Sequence, residues 1–542
     1  MNYTKRAAFL CCTCYIILLA ISFIPPQKVR GVELRRANVL SDLISFSVDN
    51  IASDVELVID VEEYEVDLEQ VEQQVEALEV FTPSVESNFE WSEEAEVEMD
   101  LDSTAKESVP KMASSHRRPA TLLEGVKLTP IEDYDSTELS PMRRFYRKLI
   151  SPDSLVRVAF MGDSFVEADI ITADLREALQ SYYGGCGAGF APMHSPLTQY
   201  RKTIKTTASS WTSYNVMQHR TTPEPYNSLF AVSGWVSTPS GSATSTVWES
   251  TSARANIDSC QCVRLLFVAL EDCTLEVALN DAASRTFEIK GGSNALRQIE
   301  LRRPDIRKVS MSVTSGAKGF VGYGAIFEGD TGVVVDNYSV RSNNGQAMFW
   351  TSPAINAQID KRVGGYDLVV LQYGLNIMQS GVNKYTSYAA QIEKMIAYAQ
   401  KCFPQAAIMV MGVSDRSYKV NGLYQPMSEA LSLTEYQRGA AQNCNVNFWE
   451  TYAAMQSQGG MSKFVANGWA GKDFTHINLS GGRQIAWAIT DAIVDGVERE
   501  RSRMVIKVDY DPIINPRDNQ HIKRKLLKRS IGVALPQNSI KI

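Results

Sequence analysis

The feature that most constrains the fold of this chain is an alternation of short apolar strands with helices. The run Leu155–Met161 is rich in strand-forming residues and stops at Gly162-Asp163-Ser164, after which a helix is predicted from Ile170 to Tyr182. A similar alternation occupies residues 331–500. Strand–helix alternation of this kind indicates a parallel sheet that is covered by helices on both faces.

The individual elements can be placed from their periodicity. Further strands are predicted at 332–336, 366–373, 407–413 and 446–448, and helices at 139–149, 385–402, 433–443 and 480–500. We therefore expect an α/β domain with a five-stranded parallel sheet, built from residues 139–199 and 331–500.

Residues 200–330 have a different pattern and are predicted to form an inserted all-β module. Short alternating runs follow one another there, separated by turn residues such as Asn280-Asp281 and Gly291-Gly292, which is typical of a sandwich or barrel. Its first part contains Trp211, Tyr214, Trp235 and Trp248. These aromatic side chains suit either stacking on sugar rings or packing in a core.

The segments that flank these domains are strongly biased in composition, although the chain as a whole is 44% apolar and carries a net charge of only −8. Residues 1–24 join Lys5 and Arg6 to an apolar run, which favours a secretory signal or an N-terminal anchor over a buried cytosolic helix. Residues 25–138 are predicted to be an acidic, solvated linker, since 19 Asp or Glu and no Lys or Arg lie between Asp54 and Asp102. Residues 501–542 form a basic tail.

Six cysteines follow the N-terminal segment: Cys186, Cys260, Cys262, Cys273, Cys402 and Cys444. Export would permit a disulfide across neighbouring strands that involves Cys260, Cys262 and Cys273, while buried thiols are the simpler alternative. A zinc site is disfavoured because no histidine lies near them. The glycine cluster 184–189 lacks the Gly-Lys-Ser/Thr of a phosphate loop and is predicted to be a sharp turn.

Three sets of polar residues are candidates for chemistry. Ser164 follows a buried strand and precedes a helix, which is where α/β sheets bind ligands and where a helix N-terminus favours negative charge. His476 has Asp473 three residues before it, so that a carboxylate can orient the imidazole as a general base. Asn376, in Gly374-Leu-Asn376, can donate to an oxyanion. Each also has a structural alternative: a structural turn that contains a serine at 164, a turn Asn at 376, and a helix-entry turn with Asn478 or Ser480 as the cap and His476 as a surface residue.

These three blocks, in this order, resemble those of the SGNH (GDSL-type) hydrolases. The resemblance implies a flavodoxin-like, three-layer α/β/α fold in which Ser164 is the nucleophile, His476 the base and Asp473 its orienting partner. It makes Asn376 and the Ser164 N–H oxyanion donors. The family's glycine block is represented by Asp336–Ser342, which contains no glycine and leaves Ser342 or Ser339 at that position. We predict Ser342 as the third donor.

One branch of the family fits the whole layout: exported bacterial esterases that remove O-acetyl groups from peptidoglycan or other polysaccharides. Members of this branch carry an inserted β-sandwich or jelly-roll that resembles a carbohydrate-binding domain. The resemblance implies a periplasmic or membrane-anchored serine esterase that acts on an acetylated glycan and needs no metal or organic cofactor. A glycan O-acetyltransferase and a non-catalytic glycan-binding protein remain the alternatives. Nucleic acid is disfavoured, because the basic cluster is a short tail.

Overall fold

The structure, a computed structural model, describes residues 27–29, 32–34, 86–90, 121–151, 154–241, 243–420 and 423–509. The predicted signal or anchor at 1–24, most of the acidic linker and the tail from 510 onwards lie outside these residues. Within the described ranges, no helix is both long enough and apolar enough to cross a bilayer.

The elements are numbered in chain order. The strands are β1 (Gln27–Val29), β2 (Val32–Leu34), β3 (Glu86–Glu90), β4 (Glu132–Asp133), β5 (Leu155–Gly162), β6 (Gly189–Pro192), β7 (Ile204–Ser209), β8 (Trp211–Asn215), β9 (Trp235–Pro239), β10 (Thr244–Ser250), β11 (Cys260–Ala269), β12 (Cys273–Leu279), β13 (Arg285–Ile289), β14 (Leu296–Ile306), β15 (Lys308–Ser315), β16 (Phe320–Glu328), β17 (Gly332–Ser339), β18 (Leu368–Gln372), β19 (Ala407–Met411), β20 (Ser417–Val420), β21 (Leu423–Pro426) and β22 (Asn447–Trp449). The α-helices are α1 (Pro141–Ile150), α2 (Thr172–Tyr183), α3 (Pro353–Val363), α4 (Thr386–Cys402), α5 (Ser428–Asn443), α6 (Thr451–Gln456), α7 (Gly460–Ala466) and α8 (Leu479–Asp509).

The α/β unit is built on a six-stranded sheet in the order β17-β5-β18-β19-β22-β4. The first five strands run parallel, and β4 pairs antiparallel with β22 at the edge. The prediction of five parallel strands therefore omitted one strand, which comes from residues assigned to the linker. Strand β4 consists of two charged residues, Glu132 and Asp133, which give no periodic signal. Its position is fixed by long-range contacts such as the hydrogen bond from Trp449 Nε1 to the Thr129 carbonyl oxygen, 3.0 Å.

Both faces of this sheet are covered, because every residue of β18 and β19 is buried. Helix α8 packs on α1 and α2, and α4 packs on α3 and α5. Helix α8 extends to Asp509, beyond the predicted domain limit at residue 500. Parallel strands that are buried on both faces place their carboxyl ends at one edge, and that edge holds the polar residues described below.

The inserted module consists of two sheets that share one apolar core, as predicted for a β-sandwich. One sheet has the order β13-β12-β15-β10-β7, and the other has the order β3-β14-β11-β16-β9-β8, with β6 also paired to β16. Strand β6, which precedes the predicted module limit at residue 200, is therefore part of this sheet. Strand β3 comes from residues that were predicted to form a solvated linker, but it pairs parallel with β14. Without β3, β14 would be an edge strand with unpaired backbone groups, which readily accepts a further strand.

The cysteines and aromatic residues of the module have mostly structural roles. All six described cysteines are free thiols. The disulfide considered from sequence is not formed, since Cys260 and Cys262 lie on β11 and Cys273 lies on β12 in the opposite sheet. Trp211 and Trp248 are buried in the core, whereas Trp235 is only half-buried.

Candidate active site

Ser164 lies in a tight turn at the carboxyl end of β5. Asp163 shapes this turn, because its Oδ1 accepts a hydrogen bond from the Phe165 N–H at 2.9 Å and its carbonyl accepts one from the Val166 N–H at 3.2 Å. Gly162 is required here, since a Cβ at this position would stand 2.6 Å from Val166 Cγ2 and 3.1 Å from the Gln372 carbonyl oxygen. Ser164 itself is half-buried, so its hydroxyl is open to a ligand at the sheet edge.

Asp473 and His476 form a hydrogen-bonded pair immediately before α8. The His476 Nδ1–H donates to Asp473 Oδ2 at 2.7 Å, and Asp473 Oδ1 accepts from the backbone N–H groups of Thr475 and His476 at 3.2 Å each. Partial burial would raise the pKa of Asp473, but these hydrogen bonds outweigh it and lower that pKa. Because Nδ1 donates to a carboxylate, Nε2 carries the free lone pair and can accept a proton.

The helix cap considered from sequence also exists, on a neighbouring residue. Asn478 Oδ1 accepts hydrogen bonds from the N–H groups of Ser480 at 2.9 Å and Gly481 at 3.2 Å, which caps α8. His476 takes no part in the cap, and its side chain is 54% exposed. The capping alternative therefore explains Asn478 and leaves His476 available for chemistry.

Asn376 follows β18 and bridges two loops. Its Nδ2 donates to Asp163 Oδ2 and to the Asn343 carbonyl oxygen, both at 3.0 Å. The Asn376 side chain is thus hydrogen-bonded to Asp163, the residue before Ser164. An asparagine that served only its own turn would not make this contact. An oxyanion would have to replace one of these two acceptors, so the predicted role of Asn376 as an oxyanion donor stays a prediction.

Asn343 belongs to the site and was not predicted. It is buried, its carbonyl accepts from Asn376, and its Oδ1 accepts from the Gly345 N–H at 2.8 Å. The sequence Asn343-Asn344-Gly345 is a turn pattern that could have indicated a shaped loop. Nothing in the pattern indicates a backbone carbonyl that faces Asn376, because that contact joins two distant parts of the chain.

Strand pairing and electrostatics bring these groups to one sheet edge. The register aligns Gly162 with Ser339 of β17 and with Gln372 of β18. Burial raises the pKa of Asp163 to about 7, opposed by the hydrogen bond from the Phe165 N–H, the coulombic influence of the nearby His476 side chain and the hydrogen bond from Asn376. The start of α8 also packs closely on the segment between the serine turn and α2, since a Cβ on Gly482 would stand 1.8 Å from the Ile170 carbonyl oxygen.

Ser342 occupies a backbone conformation that suits glycine. Its φ is +59°, in the left-handed region, and its side chain is exposed. Ser339, the alternative considered from sequence, is instead the last paired residue of β17. Ser342 therefore has the backbone conformation that a glycine at this position would favour, and its role as an oxyanion donor stays a prediction.

We expect Ser342→Gly to stabilise the protein slightly and to preserve activity. A left-handed L-residue costs about 1–2 kcal/mol, which exceeds the roughly 0.4–1 kcal/mol that glycine adds to the entropy of the unfolded chain. The expected net gain is about 0.5–1 kcal/mol in the free energy of unfolding, measured by urea denaturation. Ser342→Ala keeps the Cβ and serves as the control. A Gly variant no more stable than the Ala variant would show that position 342 is not strained.

Comparison with known proteins places this fold among solved structures. No family model matches the chain, and no curated protein matches it. A solved structure of a peptidoglycan O-acetylesterase aligns over 68% of this chain and 99% of its own, with 20% sequence identity and a TM-score of 0.54. A GDSL-like lipase from Parabacteroides merdae covers 30% of this chain and 74% of its own, with 14% identity and a TM-score of 0.24. An acetyl xylan esterase covers 30% of this chain and 81% of its own, with 14% identity and a TM-score of 0.22. The first of these comparisons establishes a common fold.

Proposed function

We propose that this chain, whose fold is that of an SGNH (GDSL-type) hydrolase, is a serine esterase that removes O-acetyl groups from a glycan. The observation that carries the proposal is the 2.7 Å hydrogen bond between His476 Nδ1 and Asp473 Oδ2 at the sheet edge that holds Ser164. The shared fold with a peptidoglycan O-acetylesterase supports the acetylated glycan as substrate class.

The proposed reaction has two steps. Ser164 Oγ attacks the acetyl carbonyl carbon while His476 Nε2 accepts the hydroxyl proton, and the sugar oxygen then leaves with that proton. Water attacks the acetyl-Ser164 ester, again losing a proton to His476, and acetate leaves as Ser164 recovers its proton. Asn376 Nδ2 and the N–H groups of Ser164 and Ser342 are assigned to the oxyanion in both steps.

Hydrolysis is favoured over acetyl transfer by the exposure of the base. The side chains of His476 and Asp473 are 54% and 51% exposed, so water reaches the position from which an acyl-enzyme is attacked. A transferase must instead exclude water from its acyl-enzyme. We also propose that the enzyme works outside the cytoplasm, on the basis of the basic and apolar composition of residues 1–24.

The test is product analysis with O-acetylated xylo-oligosaccharides and O-acetylated peptidoglycan fragments. We expect free acetate to be released from at least one substrate by the wild-type protein, and not by Ser164→Ala. An unacetylated oligosaccharide is added as a competing acceptor. If acetyl groups appear mainly on that acceptor, the protein is a transferase; if neither product forms, the esterase proposal is wrong.

A further inference from the structure

A cleft lies between the segment that follows the serine turn and the start of the inserted β module. The volume open to the centres of water-sized spheres is about 60 Å³, which is room for several water molecules, and the cleft is open to solvent on one side. The side chains that matter here are Glu167, Phe190, Leu197, Trp235 and Ser339. We call it the Glu167 cleft. Glu167 is three residues from Ser164, and Ser339 pairs with Gly162, so the cleft lies next to the turn that holds the candidate nucleophile.

Glu167 has one carboxylate oxygen without a partner. Its Oε2 accepts from Arg341 Nε at 2.9 Å and also from Arg341 Nη2, whereas Oε1 is buried and accepts no hydrogen bond from the described residues. The residue is 5% exposed. An unpaired buried carboxylate oxygen is costly, so an O–H or N–H group that came within hydrogen-bond distance of Oε1 would relieve this cost.

The backbone that positions Glu167 is strained. Ala168 and Asp169 both have positive φ, +52° and +65°, a conformation that non-glycine residues rarely adopt once, let alone consecutively. Strain of this kind persists only where surrounding contacts enforce it and is concentrated at functional sites. Here the enforcing contacts are those of the buried Asp169 carboxylate, which accepts from Thr172 Oγ1 at 2.7 Å and Arg201 Nε at 2.9 Å.

The apolar part of the cleft lining comes from the start of the inserted module. Phe190 and Leu197 line it with Trp235, the one tryptophan of the early β-module that is not packed into the core. A half-buried tryptophan offers a flat apolar surface at low entropic cost. A cleft lined by apolar side chains together with an unsatisfied carboxylate oxygen matches a ring with C–H groups on its face and hydroxyl or amide donors at its edge, which is the chemistry of a sugar.

We propose that the Glu167 cleft is the subsite for one sugar residue of the acetylated glycan, with Trp235 against the apolar face of the ring and Glu167 Oε1 accepting a hydrogen bond from a hydroxyl or amide N–H. The proposal rests on the esterase function and names the element that gives it glycan specificity. It also assigns the inserted module a direct part in substrate binding.

The experiment measures binding separately from catalysis. In a Ser164→Ala background, the affinity for O-acetylated xylo-oligosaccharides and O-acetylated peptidoglycan fragments is determined by calorimetry. We expect Trp235→Ala and Glu167→Gln each to raise the Kd by about tenfold or more, because a hydrogen bond to a charged group and a buried aromatic contact have effects of this size. Glu288→Gln, an exposed carboxylate on β13 of the same module, is the matched control and should leave the Kd unchanged.

The same substitutions with Ser164 intact are assayed on the glycan and on 4-nitrophenyl acetate, and melting temperatures check folding. A rise in KM for the glycan that exceeds the effect on the small ester supports the subsite. Equal losses on both substrates would mean that the residues only hold the Ser164 turn, and unchanged Kd values in both variants would also overturn the assignment. Failure of the esterase function is a separate result, in which the wild type releases no acetate although glycan binding is still measurable.

Discussion

Ser164→Ala is expected to lower kcat for acetate release by at least about 10³-fold and up to about 10⁶-fold, the range found when the nucleophile of a hydroxyl-based triad is removed. The effect is large because alanine leaves no atom that can form the acyl-enzyme. The Gly162–Phe165 turn depends on Asp163 and on backbone contacts rather than on the serine hydroxyl, so the fold should be unaffected.

The measurement is the steady-state rate of acetate release, with melting temperature recorded for each variant. Ser181→Ala is a suitable control, because Ser181 is an exposed serine on α2 whose hydroxyl donates only to the Glu177 carbonyl. We expect the control to retain wild-type activity. If Ser164→Ala kept more than about a hundredth of the wild-type rate, the nucleophile would have to be assigned elsewhere.

Asp169→Asn is expected to destabilise the protein by about 3–5 kcal/mol, the cost of removing one partner from a buried ion pair. The Asp169 carboxylate is buried against two buried guanidinium groups: Arg176 Nη1 at 3.2 Å and Arg201 Nε at 2.9 Å. Asparagine tolerates the left-handed backbone at this position, so the loss should arise from charge rather than from backbone strain. Urea denaturation measures it.

The control for this prediction is Asp272→Asn, which removes an exposed carboxylate paired with Lys290. We expect no measurable change there, since exposed pairs contribute little. If Asp272→Asn leaves the free energy of unfolding unchanged and Asp169→Asn lowers it strongly, the effect is due to the burial of the Asp169 carboxylate. Equal changes in the two variants would contradict the assignment.

Acid should reduce the difference between Asp169→Asn and the wild type. Burial alone would raise the pKa of Asp169, but Arg176, Arg201 and two threonine hydroxyls lower it well below its ordinary value of 3.8. A carboxyl whose pKa is depressed by folding stabilises the protein above its unfolded pKa, and this stabilisation is lost as the pH falls towards the folded pKa. The gap in unfolding free energy should therefore be constant from pH 5 to 8 and shrink below about pH 4.

Residues at strand ends were the most predictable part of the site. Ser164, Asn376 and the Asp473–His476 pair follow recognisable strands or precede a helix, and local periodicity placed them at one edge before any contact was known. The strand β4, the carbonyl of Asn343 and the unpaired oxygen of Glu167 were not predicted. Each of these depends on a contact between distant parts of the chain, and periodicity carries no information on such contacts.

The inserted module is joined to the α/β unit by buried charge. Arg157 of β5 donates through Nη2 to Glu328 Oε2 of β16 at 2.5 Å, and Glu328 Oε1 accepts from Arg264 Nε of β11 at 2.8 Å. Removing the module would leave Arg157 as a buried cation without this partner. The module is therefore a structural part of the α/β unit, and we expect the two units to unfold in one transition.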